Sequence, residues 1–429
     1  LSKLEIIINL KTIAKNTSLV NFFHLSLNQG INVIVALVVT KLLFQKLGED
    51  QYGLMNLGFS VVMMMSIMVS YGFNLNGPKQ LALLIKDTNA QSRLINEIIV
   101  TRVLLSFLMS LSILIAVFVF DLFPNYASIL VLSLTLLLSE AFYPMFILQG
   151  FDKLSMLSKA NAFAKLSYLL AILIIIKSSE DVIWVNFLFG AAALLSNFGL
   201  LLYIYHKWEL EFYFVSLKSI LRRIRVNFQY FISTIAGHIS VHGGYIILSN
   251  FINDIELGRY ALAQKIAFLL RMIPVFLTQS ILQHASRLYA EDKNEFKHYL
   301  KRAYHNGLFL TFGVGVLFAI TSTWVIKIVG GEFVEYSAGI LRILCFIPFF
   351  GMLNVSNMIL ILVNEKKEIL AKATWITAFI MLVMSGLGSF YYGGYGLAIA
   401  LLITELVNFF IHSYYTKFDR RSLGPILSK

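Results

Sequence analysis

The sequence predicts an all-α polytopic membrane protein with about twelve transmembrane helices in two six-helix bundles related by pseudo-two-fold symmetry. Three observations carry this expectation. Of 429 residues, 58% are hydrophobic and 14% charged, with mean hydropathy +0.77, a balance that sends apolar runs of helical length into lipid. The Lys and Arg residues behind a net charge of +12 sit in short clusters between those runs, which is a record of topology and not one basic surface for nucleic acid. A stretch that cannot cross a bilayer, His206 to Asn227, lies near the midpoint and carries Lys207, Lys218, Arg222, Arg223 and Arg225 against Glu209 and Glu211.

Taken in order, apolar runs predict spans at 20–47, 53–77, 98–120, 127–149, 160–177 and 183–205, then 228–252, 259–284, 305–329, 338–363, 373–392 and 395–415. With the N-terminus inside, the inner segments hold most of the 35 Lys and Arg, while the outer loops hold Lys46, Lys177, Arg259 and Lys327. Basic loops stay cytoplasmic, so both termini are expected inside. The units are a bundle over 1–205, a basic cytoplasmic linker over 206–227, a second bundle over 228–415 and a cytoplasmic tail over 416–429. A weak repeat supports two halves. Asn21-Phe22 opens the first span as Asn227-Phe228 opens the seventh, and Tyr52-Gly53-Leu54 recurs as Tyr260-Ala261-Leu262. Six spans per half would relate the repeats by an axis along the membrane normal.

Several functions are disfavoured. Outer segments such as Asp121 to Tyr126 and Asn253 to Gly258 are too short for a domain, which argues against an enzyme working on glycans outside the membrane. No phosphate-cradling G-x-x-x-x-G-K-[ST] is present for a nucleotide-driven pump. The single cysteine, Cys345, lies in an apolar run and is expected to pack. Leu1 to Lys15 mixes Lys3, Glu5, Lys11 and Lys15 with apolar residues, so the first span is expected to act as its own targeting signal.

Charges within spans cost about 2.5 to 3.5 kcal/mol each on insertion scales and should face a cavity or a partner. On the eighth span Gln264, Arg271 and Thr278 form one stripe near Pro274, with Lys265 about 120° around the helix from Arg271. The stripe suits an anionic headgroup such as pyrophosphate; equally, Arg271 suits an ion pair with Glu140 or Glu405. Lys41 and Arg342 lie nearer the outer ends, where snorkelling accounts for a cation. His24, Asn28 and Asn32 repeat every fourth residue in the first span, as do Thr234, His238 and His242 in the seventh. Such stripes either face a hydrated, sugar-binding space or hydrogen-bond between helices. His238 and His242 have metal-ligand spacing, but HISVH lacks the Glu of H-E-x-x-H, so no metal is expected. Glu140, mid-span in LSLTLLLSEAFYPMFIL, is expected to hold a proton unless paired, which makes it an ion-coupling candidate. Glu405, followed by Asn408 and His412, is a second.

LFQKLGEDQYGL (Leu43 to Leu54), SYGFN (Ser70 to Asn74), YPMFILQGFDKL (Tyr143 to Leu154), LGRYALAQKI (Leu257 to Ile266) and LRILCFIPFFGMLN (Leu341 to Asn354) are spread over most of the chain. In this order they resemble the flippases of lipid-linked polysaccharide repeat units, the O-antigen transporter type, in the multidrug/oligosaccharidyl-lipid/polysaccharide exporter superfamily. The chain departs from that pattern in having no proline in the first span and His284 where a proline often ends the eighth. The resemblance implies two six-helix bundles around a cationic, partly hydrated cavity in a bacterial inner membrane. It implies a polyprenyl-pyrophosphate-linked oligosaccharide as cargo, O-antigen of a lipopolysaccharide or another surface polysaccharide, with a polymerase and chain-length machinery as neighbouring partners. Flipping by alternating access, with no cofactor and with coupling to a proton or sodium gradient, is the expected function. The alternatives are a drug/cation antiporter of the same superfamily and, further off, a membrane-embedded polysaccharide polymerase.

Overall fold

A computed structural model describes residues 17–84, 87–331, 334–364 and 367–418, with side chains of the first helix from residue 33 onward. All regular structure among these residues is helical, as lipid demands of backbone amides that find no water. In chain order the helices are α1 (Thr17–Ser70), α2 (Phe73–Leu83), α3 (Thr88–Phe118), α4 (Pro124–Gly150), α5 (Leu154–Ile175), α6 (Val182–Lys207), α7 (Leu217–Leu248), α8 (Asp254–Glu291), α9 (Lys293–Gly330), α10 (Glu335–Val363) and α11 (Lys367–Phe418). Ten of the described helices are long and apolar enough to cross a membrane, α2 continuing α1.

α1 has 54 residues and α11 has 52. At about 1.5 Å per residue each would run to roughly 80 Å, far more than a bilayer needs. Each is broken by one glycine in a backbone conformation that a side chain disfavours, Gly48 at φ 80° and Gly393 at φ 55°. The loops expected at these two places therefore shrink to a single residue. α4 is interrupted twice, so that its α-helical segments are Ala127–Leu132, Thr135–Ala141 and Met145–Gly150, the last break ending at Pro144. α10 is likewise segmented at Asn354, and α7 contains a π turn over Ile239–Gly243.

Two stretches read as connections turn out to be largely helical. The basic stretch 206–227 is irregular only between α6 and α7, and its cations Lys218, Arg222, Arg223 and Arg225 lie on the first turns of α7. Ser216 caps that helix by accepting from the Ser219 amide. α8 and α9 run on past their apolar spans and turn at Asp292, whose carboxylate accepts from the amides of Asn294 and Glu295. The apolar side of this extension, with Ala285, Leu288, Phe296 and Leu300, packs on Met352 and Ile359 of α10. Amphipathic helices outside the membrane escape a search for continuous apolar runs.

N-terminal and C-terminal helices share one core, in which Leu43, Tyr52, Val62, Tyr260, Ile266 and Leu344 are all buried. The tightest approach joins α1 to α8. A Cβ on Gly258 would collide with the Glu49 carbonyl, and one on Gly53 would lie 2.7 Å from the carbonyl oxygen of Asp254. Arg259 pairs with Glu49 at 2.8 Å, and the Tyr245 hydroxyl lies 3.1 Å from the Gly53 carbonyl oxygen. At the far end of α1, Tyr71 stacks on Phe231 with ring centres 4.6 Å apart. Beside it the buried Asn76 amide donates to Asn227 at 3.1 Å, and Glu97 of α3 pairs with both Arg222 and Arg223.

Candidate functional site: two polar cavities and a buried ion pair

The first cavity, about 200 Å³, is enclosed by α1, α5, α6 and α8. Its polar wall consists of Thr40, Tyr52, Asn56, Lys165, Tyr168, Asn186 and Lys265, and among the described residues no carboxylate lines it. Asn186 is fixed by donating to the Met55 carbonyl at 3.0 Å, and Asn56 donates to the Tyr52 carbonyl at 2.8 Å. The Lys265 ammonium sits 5.8 Å from the centre of the Phe59 ring, a cation–π distance that leaves its N–H groups to other acceptors. The Lys265 ammonium, in a partly apolar wall that no described carboxylate lines, creates a local field that attracts anions.

The second cavity, about 320 Å³, lies among α7, α8, α10 and α11. Arg271 and Glu405 face each other across it as an ion pair. Thr377 donates to Asn408 at 3.1 Å on the same wall, and Thr374, Thr404, Asn354 and His412 complete the polar lining. Asn354 reaches this space because it occupies the break in α10. His412 Nδ1 lies 2.9 Å from the Asn408 carbonyl oxygen, which can only accept, so Nδ1 carries the hydrogen and Nε2 is left as an acceptor.

Outside both cavities, Arg102 of α3 is fully buried and pairs with Glu140 of α4 at 2.9 Å. Local structure explains the partner set. Pro144 breaks α4, the amide of Ile147 turns to the Pro144 carbonyl, and the Tyr143 carbonyl accepts from the Arg102 guanidinium at 2.8 Å. The same guanidinium lies 5.8 Å from the Phe146 ring centre and 3.5 Å from Asn74 Oδ1.

The residues singled out in the sequence are distributed as follows. Lys265 lines the first cavity and Arg271 the second; the 120° between them puts α8 between the two spaces. Gln264 is half-buried and lines neither. Thr278 donates to the Pro274 carbonyl of its own helix at 2.7 Å, and Thr234 does the same to Phe231 at 2.9 Å. His238 precedes the π turn and His242 lies within it, with ring centres 6.2 Å apart, and His242 meets the Phe59 ring edge-on at 6.4 Å. Lys41 is exposed. Arg342 is held by Glu335, Ser322 and Thr323. The side chains of His24, Asn28 and Asn32 lie outside the described set. Among the described residues no group of three His, Cys, Asp or Glu is placed to hold a metal.

Sequence reasoning passed over Arg102, Lys165 and Asn186. Arg102 and Lys165 are cations inside predicted spans, so the cost of burying charge was the available signal. Asn186 gave none.

With this geometry in place, comparison with known proteins is informative. A family model described as "Polysaccharide biosynthesis protein" matches residues 18–282, well over half of the chain. The chain belongs to the polysaccharide biosynthesis protein family. Along most of its length this family member also resembles a protein of Escherichia coli (strain K12) with the provisional name O-antigen transporter, at 22% identity over 400 residues, covering 90% of this chain and 93% of that one. Its fold matches the lipid II flippase MurJ in an inward closed conformation, with TM-score 0.74 and 15% identity over 91% of this chain and 87% of that one. It also matches a multidrug resistance MATE family transporter of the MOP superfamily in an inward-facing conformation, with TM-score 0.72 and 14% identity over 92% and 96% of the two chains.

Proposed function

We propose that the protein is a flippase that carries polyprenyl-pyrophosphate-linked oligosaccharide repeat units of a surface polysaccharide from the cytoplasmic to the outer leaflet of a bacterial inner membrane. The observation that carries this reading is the first cavity. Lys265 stands on its wall beside Lys165, and no carboxylate among the described residues lines it, so it favours an anion over a cationic drug, and a pyrophosphate is the anion that a lipid-linked glycan presents. The family assignment, the name of the Escherichia coli relative and a fold shared with a solved lipid II flippase support the same reading. The two carboxylates that would mark a cation antiporter, Glu140 and Glu405, are each engaged by arginine.

In this proposal α1 and α11 each cross the membrane twice, giving twelve crossings in two groups of six. The basic turns of α7 face the cytoplasm, which makes the Gly53–Gly258 contact the outer closure. The headgroup crosses between the groups by alternating access. The polyprenyl tail stays in lipid, along an apolar groove of about 440 Å³ formed by Leu37 of α1, Ile266 and Phe276 of α8 and Phe318 of α9.

The test is the leaflet in which lipid-linked repeat units reside after deletion of the gene, read with a membrane-impermeant sugar probe on spheroplasts and inverted vesicles. Accumulation on the cytoplasmic leaflet, relieved by the restored gene, is the expected result. Outer-leaflet units that remain unpolymerised would overturn the proposal and point to a polymerase.

A further inference from the structure

Resting on the flippase reading, we infer that the second cavity is a glycan subsite that holds the first sugar of the headgroup while the first cavity holds its pyrophosphate. The two spaces have opposite chemistry. The first has the Lys265 ammonium on its wall beside Lys165, and no acid among the described residues. In the second, the Arg271 charge is cancelled by Glu405, and the wall adds neutral hydroxyl and amide groups. Its unmet polar groups include both an acceptor and a donor. His412 Nε2 is buried without a hydrogen-bond partner, and because Nδ1 of that ring donates to the Asn408 carbonyl, the Asn354 amide 3.4 Å from Nδ1 turns its oxygen there and leaves its NH2 group unmet; the His412 and Asn354 side chains belong to residues only 2% and 5% exposed. A phosphate oxygen brought there would face the His412 acceptor and the Glu405 carboxylate, and each is a repulsive contact in a low-dielectric wall. A sugar hydroxyl donates to His412 Nε2 and accepts from the Asn354 amide or the Arg271 N–H groups.

The placement fits one connected headgroup. α8 supplies Lys265 to one cavity and Arg271 to the other. Six residues of helix separate them by about 9 Å along the axis, which a pyrophosphate and one sugar ring can span. α7 lies at the same boundary, with Ser240 on the second cavity and His242 against Phe59, which lines the first.

The experiment measures binding of defined lipids to the full chain in nanodiscs: undecaprenyl pyrophosphate, and the same lipid carrying N-acetylglucosamine, N-acetylgalactosamine, glucose or galactose. At least one glycosylated lipid is expected to bind about ten-fold tighter than the bare pyrophosphate. Asn354→Leu and Thr377→Val, both close in volume to the native side chains, each lower that ratio by about five-fold. Lys265→Gln weakens bare and glycosylated lipids by the same factor and leaves the ratio intact. A preference for glycosylated lipid that survives both cavity substitutions overturns the subsite, as does the lack of any preference when the bare lipid binds; in both cases the flippase reading stands. Failure of all five lipids to bind removes the flippase reading and this inference with it.

Discussion

Replacing Arg102 with Met tests how the N-terminal helices are held together. The guanidinium is fully buried and serves Glu140 at 2.9 Å, the Tyr143 carbonyl at 2.8 Å and Asn74 at 3.5 Å. Methionine fills most of the space but leaves the Glu140 carboxylate without its cation and the Tyr143 carbonyl without a donor. Breaking one side of a buried pair costs about 3–5 kcal/mol, because the surviving charge stays in a medium that solvates it poorly. Glu140→Leu has the same logic with the sign of the stranded charge reversed, and should cost a similar amount. The double variant Arg102→Met/Glu140→Leu strands neither charge and should lose less than the sum of the singles by about 2 kcal/mol or more. Unfolding by SDS titration in mixed micelles reads all four corners of this cycle. Additive single effects would refute the reasoning, since they would mean that the two side chains are solvated independently.

Four shorter tests follow from other contacts. Gly258→Ala drives a methyl group into the Glu49 carbonyl and should loosen the α1–α8 contact; in a Cys345→Ala background, a cysteine placed at Asn56 is then labelled faster by an impermeant maleimide added from outside. Lys265→Gln halves the ammonium count of the first cavity, and flipping in proteoliposomes should fall by about ten-fold or more at equal protein level, the size of one charge-assisted contact. Glu405→Gln frees Arg271 from its ion pair, so bare undecaprenyl pyrophosphate should bind this variant more tightly than the wild type in the nanodisc assay. Glu140→Gln should leave the gradient dependence of flipping unchanged if Glu140 stays paired with Arg102 throughout transport; a changed dependence assigns Glu140 to coupling.

In the proposed arrangement, the contrast between the two cavities lets one helix serve two parts of a cargo. α8 carries cations at Lys265 and Arg271, and only one of them has a carboxylate to face. The lone charge remains available to an anion, whereas the paired one contributes directed N–H groups without net attraction. A buried ion pair adds little stability by itself, but here it changes what its cavity can recognise.

The sequence by itself determined the membrane class and the positions of the long helices, because hydropathy acts over every run of about twenty residues independently of what packs beside it. It also marked Gly48, Gly53 and Gly258 through the stretches that hold them, and it named Arg271 and Glu405 as charges in need of an explanation. Only the tertiary structure decided which partner each charge took. Glu140 and Glu405 were both open to Arg271 by sequence; the fold gives Arg271 to Glu405 and brings Arg102, 38 residues from Glu140 along the chain, to the other. Periodicity places a residue on a face of its own helix and is silent about which helix lies opposite. For the same reason the separation of Lys265 from Arg271 into two cavities, and the unmet polar groups of Asn354 and His412, belong to the packing of α7, α8, α10 and α11 and not to any one of them.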